Sequence, residues 1–307
     1  IASYYLAHMT RGTLSGNGRF GAYGVMHGSE GIVRLLACGA LVVLGVSTPG
    51  AYGLALALPP FAAVAISLRG QHGLLEPGPS APYSELSNAL GWLLLGSVLA
   101  QALSYAAFLG ATLLATADQK DLVGKFIAGL FIARIPILLF QAVQAALLPK
   151  LAAHAGAGRH DDFRSGLRKL LTVVLVVGAL GIVGGFAFGS SAGRLLFGSK
   201  FILGSRDLGL LAVGSAAFIL ALTLAQGLIA LRGYRAAAMS WVAGIGTFVV
   251  TTALGHDLLL RVELGFAFGS LAAAVVMGAL LMNRMRSGVP TDVDELVEVI
   301  GHEPLEI

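Results

Sequence analysis

Apolar residues fall in eight long stretches, at residues 31–47, 51–68, 86–116, 122–148, 170–188, 208–231, 236–254 and 262–282. A helix needs about 20 consecutive apolar residues to cross a bilayer. Six of the stretches meet that length and the first two fall slightly short. None alternates with period two, as the strands of an outer-membrane barrel do. A helix also satisfies its own backbone in lipid, so it is the expected element throughout. The connections are short and rich in glycine, which predicts antiparallel neighbours. The opening IASYYLAHMT reads as the tail of a helix already under way. The expected fold class is therefore all-α: a polytopic transmembrane helix bundle of about eight full spans plus a partial N-terminal one. The chain is expected to be the C-terminal part of a longer protein.

Composition agrees with this pattern. The chain of 307 residues is 56% hydrophobic and 12% charged, with a mean hydropathy of +0.83, whereas soluble domains are about 25% charged. The net charge of +4 is consequently read as topology and not as nucleic-acid affinity. If the connection between Arg11 and Arg34 is cytoplasmic, thirteen of the twenty Lys and Arg fall on that side. Six fall on the other side, and Arg134 lies within a span. That bias puts the C-terminus in the cytoplasm as well. The single cysteine, Cys38, forms no intrachain disulfide.

Polar residues inside the spans carry the candidate chemistry. Residues 121–150 read DLVGKFIAGLFIARIPILLFQAVQAALLPK, an apolar run interrupted by Arg134, Pro136, Gln141 and Gln144. A guanidinium at bilayer depth costs roughly 3 kcal/mol or more and is held there by a cavity or a partner. Seven residues separate Arg134 from Gln141, so a helix places both on one face; Gln144 sits to the side. Pro136 removes one hydrogen bond beside the charge. The span 86–116 carries Ser97, Gln101, Ser104, Tyr105 and Thr112, a stripe suited to an aqueous path or to interhelical hydrogen bonds. Pro59 and Pro60 break or kink the second run. Gly181, Gly185 and Gly189, four apart, form a seam for close helix packing. Pro77, Pro79 and Pro82 mark residues 69–85 as a linker.

Several further patterns are weaker. GNGRFG, at residues 16–21, matches GxGxxG formally, but no strand or βαβ unit surrounds it. It reads as a tight turn in which Gly16, Gly18 and Gly21 let the chain reverse and Arg19 stays at the headgroups. Glu30 and Arg34, four apart, share a helix face and are expected to pair. Residues 150–169 (KLAAHAGAGRHDDFRSGLRK) read as a solvated basic loop that attracts anionic headgroups. His154 and His160, six apart near Asp161 and Asp162, do not share a helix face, and no metal site is expected. After Arg286 the chain carries six acids and no Lys or Arg, an acidic cytoplasmic tail. No nucleophile–base constellation, phosphate loop or soluble catalytic domain is present, so neither an enzyme nor a cofactor is expected.

Two stretches resemble a known family. RGTLSGNGRFGAYGVMHGSEGIVRLL is similar to the segment between the fourth and fifth helices of bacterial polysaccharide flippases. FIARIPILLFQAVQAALLPKLAAHAGAGRHDDF is similar to their eighth helix and the loop after it, and LLFGSKF to an outer loop before the tenth. The family belongs to the multidrug/oligosaccharidyl-lipid/polysaccharide exporter superfamily, with two six-helix bundles around a central cavity. The resemblance implies an N-terminally truncated, two-bundle MATE-like fold. Residues 1–68 would end the first bundle, 69–85 link the two, 86–283 form the second, and 284–307 make the tail. It further implies alternating-access movement of polyprenyl-pyrophosphate-linked oligosaccharide across the bacterial cytoplasmic membrane, with membrane lipids and glycan assembly proteins as partners. Arg134 would then bind the pyrophosphate, Gln101, Gln141 and Gln144 the glycan, and Arg11, Arg19, Glu30 and Arg34 a cytoplasmic gate or turn.

Three rivals stand beside this reading. A cation-coupled multidrug antiporter of the same superfamily uses an intramembrane carboxylate, whereas Glu30 and Glu263 fall at the ends of the predicted spans. A peptidoglycan-precursor flippase carries two further C-terminal helices. A glycan polymerase needs a larger outer loop than the longest expected here, residues 190–207.

Overall fold

The computed structural model describes residues 2–74, 83–198, 201 and 203–286; the side chains of residues 83–86, 138, 139, 141–150 and 152 lie outside that description. The described chain is helical, with no strand, and divides into two compact units, Ile1–Ser80 and Ala81–Ile307. Among the described residues seven spans, one of them built from two short helices, are long and apolar enough to cross a membrane. Exposed apolar surface supports the same conclusion. On one helix Val173, Leu175, Val176, Val177, Leu180 and Val183 all face outward, a continuous patch that water would not tolerate on a soluble monomer. The chain is a multi-pass, all-helical membrane protein.

The first unit holds α1 (Ala2–Gly16), α2 (Phe20–Val43), α3 (Pro49–Ala57) and α4 (Pro59–Ser67). The turn between α1 and α2 takes only three residues. Gly18 adopts φ +67° and the Arg19 N–H donates to the Leu14 carbonyl at 2.8 Å, the left-handed glycine closure common at helix ends. Gly16 and Gly21, expected to share in the reversal, are helical. The helix after the turn starts eleven residues before the predicted span, which puts Glu30 well inside α2 and not at its end. The proline pair divides the next run at Leu58. Both prolines occupy the first turn of α4, where a missing N–H costs nothing.

The second unit holds α5 (Tyr83–Leu114), α6 (Lys120–Gly156), α7 (His160–Phe197), α8 (Ser205–Ala230), α9 (Tyr234–Leu254) and α10 (Leu258–Arg286). Between α5 and α6, Thr116 opens a single 3-10 turn, its N–H donating to Gln119 Oε1 at 3.1 Å. The central helix is α8, apolar on every side and packed against α6, α7 and α10. A helix buried all round needs no polar face. Phe218 of α8 meets Trp241 of α9 at 5.5 Å and Phe266 of α10 at 6.1 Å between ring centroids. Backbones approach most closely where α9 meets α10: a Cβ on Gly244 would lie 2.8 Å from the Gly269 carbonyl, and one on Gly269 2.7 Å from the Gly244 carbonyl.

Three expectations are corrected. The polar segment 150–169 is helical except at Ala157–Arg159, where Gly158 (φ +67°) closes α6. Its polar residues are too few per turn to unwind helices whose neighbouring turns pack on the core. The outer connection expected at 190–207 shrinks to residues 198–204, because α7 runs on to Phe197. The glycine seam is also displaced. Gly185 and Gly189 do pack on α8 at Leu208, but the third member is Gly178, against Ala216, while a Cβ on Gly181 would meet nothing within 4 Å. Steps of four advance about 40° around a helix and a step of seven nearly none, so Gly178 stays in line where Gly181 drifts off. Gly181 and Gly184 instead line an apolar recess of about 260 Å³ between α6, α7 and α8. The expected linker, residues 69–85, and the tail after Arg286 fall largely outside the described residues.

Candidate functional site

Arg134 projects from α6 toward α5. Its Nη2 donates to the main-chain carbonyl of Ser104, and its guanidinium carbon lies 4.8 Å from the centroid of the Tyr105 ring. A helical carbonyl already serves its own ladder, but its second lone pair remains free to accept. The aromatic face adds an electrostatic contact worth about 1 kcal/mol. Arg134 Nε is enclosed and has no partner among the described residues, and no carboxylate pairs with the side chain there. The group is thus oriented without being neutralised. Ser104 is buried and Tyr105 half exposed.

Gln101 lies one turn before Tyr105 on α5 and is exposed. Gln141 and Gln144 follow Arg134 on the continuous α6, and their side chains lie outside the described residues. Ser97 and Thr112, expected in the same stripe, bond back to their own helix, donating to the Leu93 and Phe108 carbonyls at 2.8 Å each. The apolar recess beside α6 is lined by Ile132, Ala133, Ile135 and Pro136 and does not include Arg134.

The first unit contains a second charged site. Glu30 is 7% exposed and accepts from two arginines. Arg34, one turn on, donates at 2.6 Å, and Arg11 of α1 donates to the other carboxylate oxygen. Arg34 also donates to the Tyr4 hydroxyl at 2.9 Å. One carboxylate between two guanidiniums leaves a net positive charge shared by α1 and α2. Sequence spacing gives the Glu30–Arg34 pair. Arg11 and Tyr4 join through the helix pairing, which no local pattern reports. Arg19 is not part of this cluster. It donates to Gln71 Oε1 at 3.2 Å and to the His72 carbonyl at 3.0 Å, tying the α1–α2 turn to the chain beyond α4.

Glu263 was missed by sequence reasoning. The boundary of its apolar run places it at a span's edge, yet α10 begins at Leu258 and packs Glu263 against its neighbours. The residue is fully buried, and neither carboxylate oxygen has a hydrogen-bond partner among the described residues. His154 and His160 are turned apart: His154 Nδ1 lies 4.0 Å from Asp162, while His160 lines a separate recess with Arg164. Among the described residues no three His, Cys, Asp or Glu side chains gather as metal ligands would.

Comparison with protein families, with curated proteins and with solved structures finds no match to this chain.

Proposed function

We propose that this chain belongs to a flippase that moves an oligosaccharide, linked to a polyprenyl pyrophosphate, across the cytoplasmic membrane by alternating access, for cell-surface polysaccharide. The observation that carries this reading is Arg134, an un-neutralised guanidinium among apolar helices, held in place by a carbonyl and an aromatic face. A pyrophosphate supplies the anion this cation lacks, and arginine grips phosphate oxygens through two parallel hydrogen bonds. Exposed Gln101 and the face of Tyr105 border the same stretch of α5 and suit sugar hydroxyls and sugar C–H faces. Gln141 and Gln144 extend that role along α6. The Arg11–Glu30–Arg34 cluster serves as a gate whose two ionic arms can part separately. Membrane lipids and glycan assembly proteins are the expected partners, with the C-terminus cytoplasmic.

The test is translocation of a labelled polyprenyl-pyrophosphate oligosaccharide in proteoliposomes, with wild type and Arg134→Ala inserted to equal levels. Transport by wild type and its loss in the variant supports the reading. Equal transport by both returns Arg134 to a purely structural tie.

A second reading, a cation-coupled multidrug antiporter of the same superfamily, is favoured by Glu263. A buried carboxylate without a donor is costly unless a cation meets it. Exchange of drug for sodium ions or protons by the wild type, with no movement of the lipid-linked glycan, would select it.

A further inference from the structure

Several basic residues far apart in sequence meet where the end of α10, the start of α7 and the α8–α9 turn come together. The recess there is about 200 Å³ and is lined by His160, Phe163, Arg164, Leu231, Arg284 and Arg286, with Met285 completing it. Two of its arginines are braced by backbone, and neither forms an ion pair among the described residues. Arg164 donates to the Met285 carbonyl at 2.8 Å, across 121 residues of sequence, and Arg284 donates to the Leu231 carbonyl at 2.9 Å. Each of these bonds uses one of the five N–H donors of a guanidinium and fixes the direction of the rest.

The turn is shaped around Arg284. Arg232 takes the left-handed position, with φ +56°, an uncommon conformation for a residue other than glycine. This lets the Gly233 N–H donate to the Leu228 carbonyl at 2.7 Å. A Cβ at Gly233 would lie 3.2 Å from Arg284 Nε, so a larger residue there would crowd the guanidinium. Asp162, two residues from both His160 and Arg164, is turned to Arg159 at 3.9 Å and His154 at 4.0 Å. Phe163 and Leu231 are 1% and 3% exposed and give the recess an apolar floor.

We propose that this recess binds the phosphate of an anionic phospholipid headgroup. Charge selects a phosphate, since three arginines and a histidine converge and, among the described residues, no acid lines the recess. Position selects the lipid, because the residues sit at the ends of membrane-spanning α7, α8 and α10, where headgroups lie. The apolar side chains of Phe163 and Leu231 beside the arginines suit the glycerol and first methylenes. The site is separate from Arg134 and does not depend on what the protein transports.

Native mass spectrometry of the purified full chain tests this, so that the six acids after Arg286 compete as they do in the protein. The probes are phosphatidylglycerol and phosphatidylcholine with identical acyl chains. Wild type should retain phosphatidylglycerol about tenfold better than phosphatidylcholine. Arg164→Gln/Arg284→Gln should lose about tenfold of that occupancy, whereas Arg168→Gln/Lys169→Gln, on exposed residues outside the recess, should lose less than about twofold. Since the first pair also braces backbone, Arg286→Gln is run beside it; it leaves both braces intact and should cost about fivefold with an unchanged melting temperature. Equal losses from both pairs, full occupancy in Arg286→Gln, or no headgroup preference in wild type would each overturn the site. Displacement of phosphatidylglycerol by millimolar inorganic phosphate would overturn the lipid as its source.

Discussion

Arg134 on α6 donates to the main-chain oxygen of Ser104 on α5, thirty residues earlier in the chain. This bond joins two long helices through a charged group that no acid balances among the described residues. Arg134→Lys keeps the charge but loses the planar fork, the bond direction and the fit over the Tyr105 ring. Transport in proteoliposomes should then fall at least about tenfold, corresponding to the loss of about 1.4 kcal/mol of substrate contact. Thermal stability should change by less than about 1 kcal/mol. A large drop in stability with transport retained by the folded fraction would make the contact structural.

Glu30 is the common acceptor of Arg11 and Arg34. Glu30→Gln leaves two guanidiniums together in a buried setting, and removing one partner of a buried ion pair costs about 3 kcal/mol. The arms are unequal: the Arg11 side chain is 17% exposed and that of Arg34 35%. Arg11→Leu should therefore destabilise the first unit more than Arg34→Leu, whose screened pair is worth about 1 kcal/mol or less. Thermal unfolding of the three variants in one detergent gives the order, and an Arg34→Leu loss exceeding that of Arg11→Leu would refute it.

Gly244 and Gly246 sit two apart on α9 in opposite surroundings. A Cβ on Gly244 would meet the Gly269 carbonyl at 2.8 Å and Ala273 Cβ at 3.0 Å, while one on Gly246 meets nothing within 4 Å. Gly244→Ala should destabilise the second unit by about 2 kcal/mol, as overpacking does. Gly246→Ala should be neutral or stabilising by up to about 1 kcal/mol, because alanine loses less backbone freedom on forming a helix. The comparison is read from melting temperatures at equal expression. Similar losses at the two positions would show that α9 and α10 do not rely on the close approach.

Hydropathy makes the spans legible because a helix in lipid announces itself by length and composition alone. It does not mark where a helix begins outside the apolar run. Residues 20–30 and 160–169 are polar enough to read as connection, yet they continue helices whose other turns are packed. That difference moved Glu30 from a span's end into α2 and drew the 150–169 loop down to three residues. The candidate site divides similarly. Arg134 stands out as a charge in an apolar run, and Glu30 with Arg34 as an i, i+4 pair. Tyr4, Arg11 and the Arg164–Met285 contact depend on which helices become neighbours, which local spacing does not encode. Glu263 escapes notice at a boundary, since its apolar run begins at Val262, one residue before it.

Glu263 gives the last prediction. Its side chain is fully buried and both oxygens lack a donor among the described residues. An amide of the same shape carries no charge to bury, so Glu263→Gln should unfold no earlier than wild type in buffer without added sodium or potassium. If the carboxylate holds a cation, wild type should gain stability as sodium is added, by about 2.7 kcal/mol at a hundredfold excess over the dissociation constant. Glu263→Gln should gain nothing. Melting curves of both proteins across a sodium series, with choline chloride keeping ionic strength constant, separate the cases. A matched response in the two proteins would remove Glu263 as a cation site and, with it, the observation that favours the cation-coupled reading.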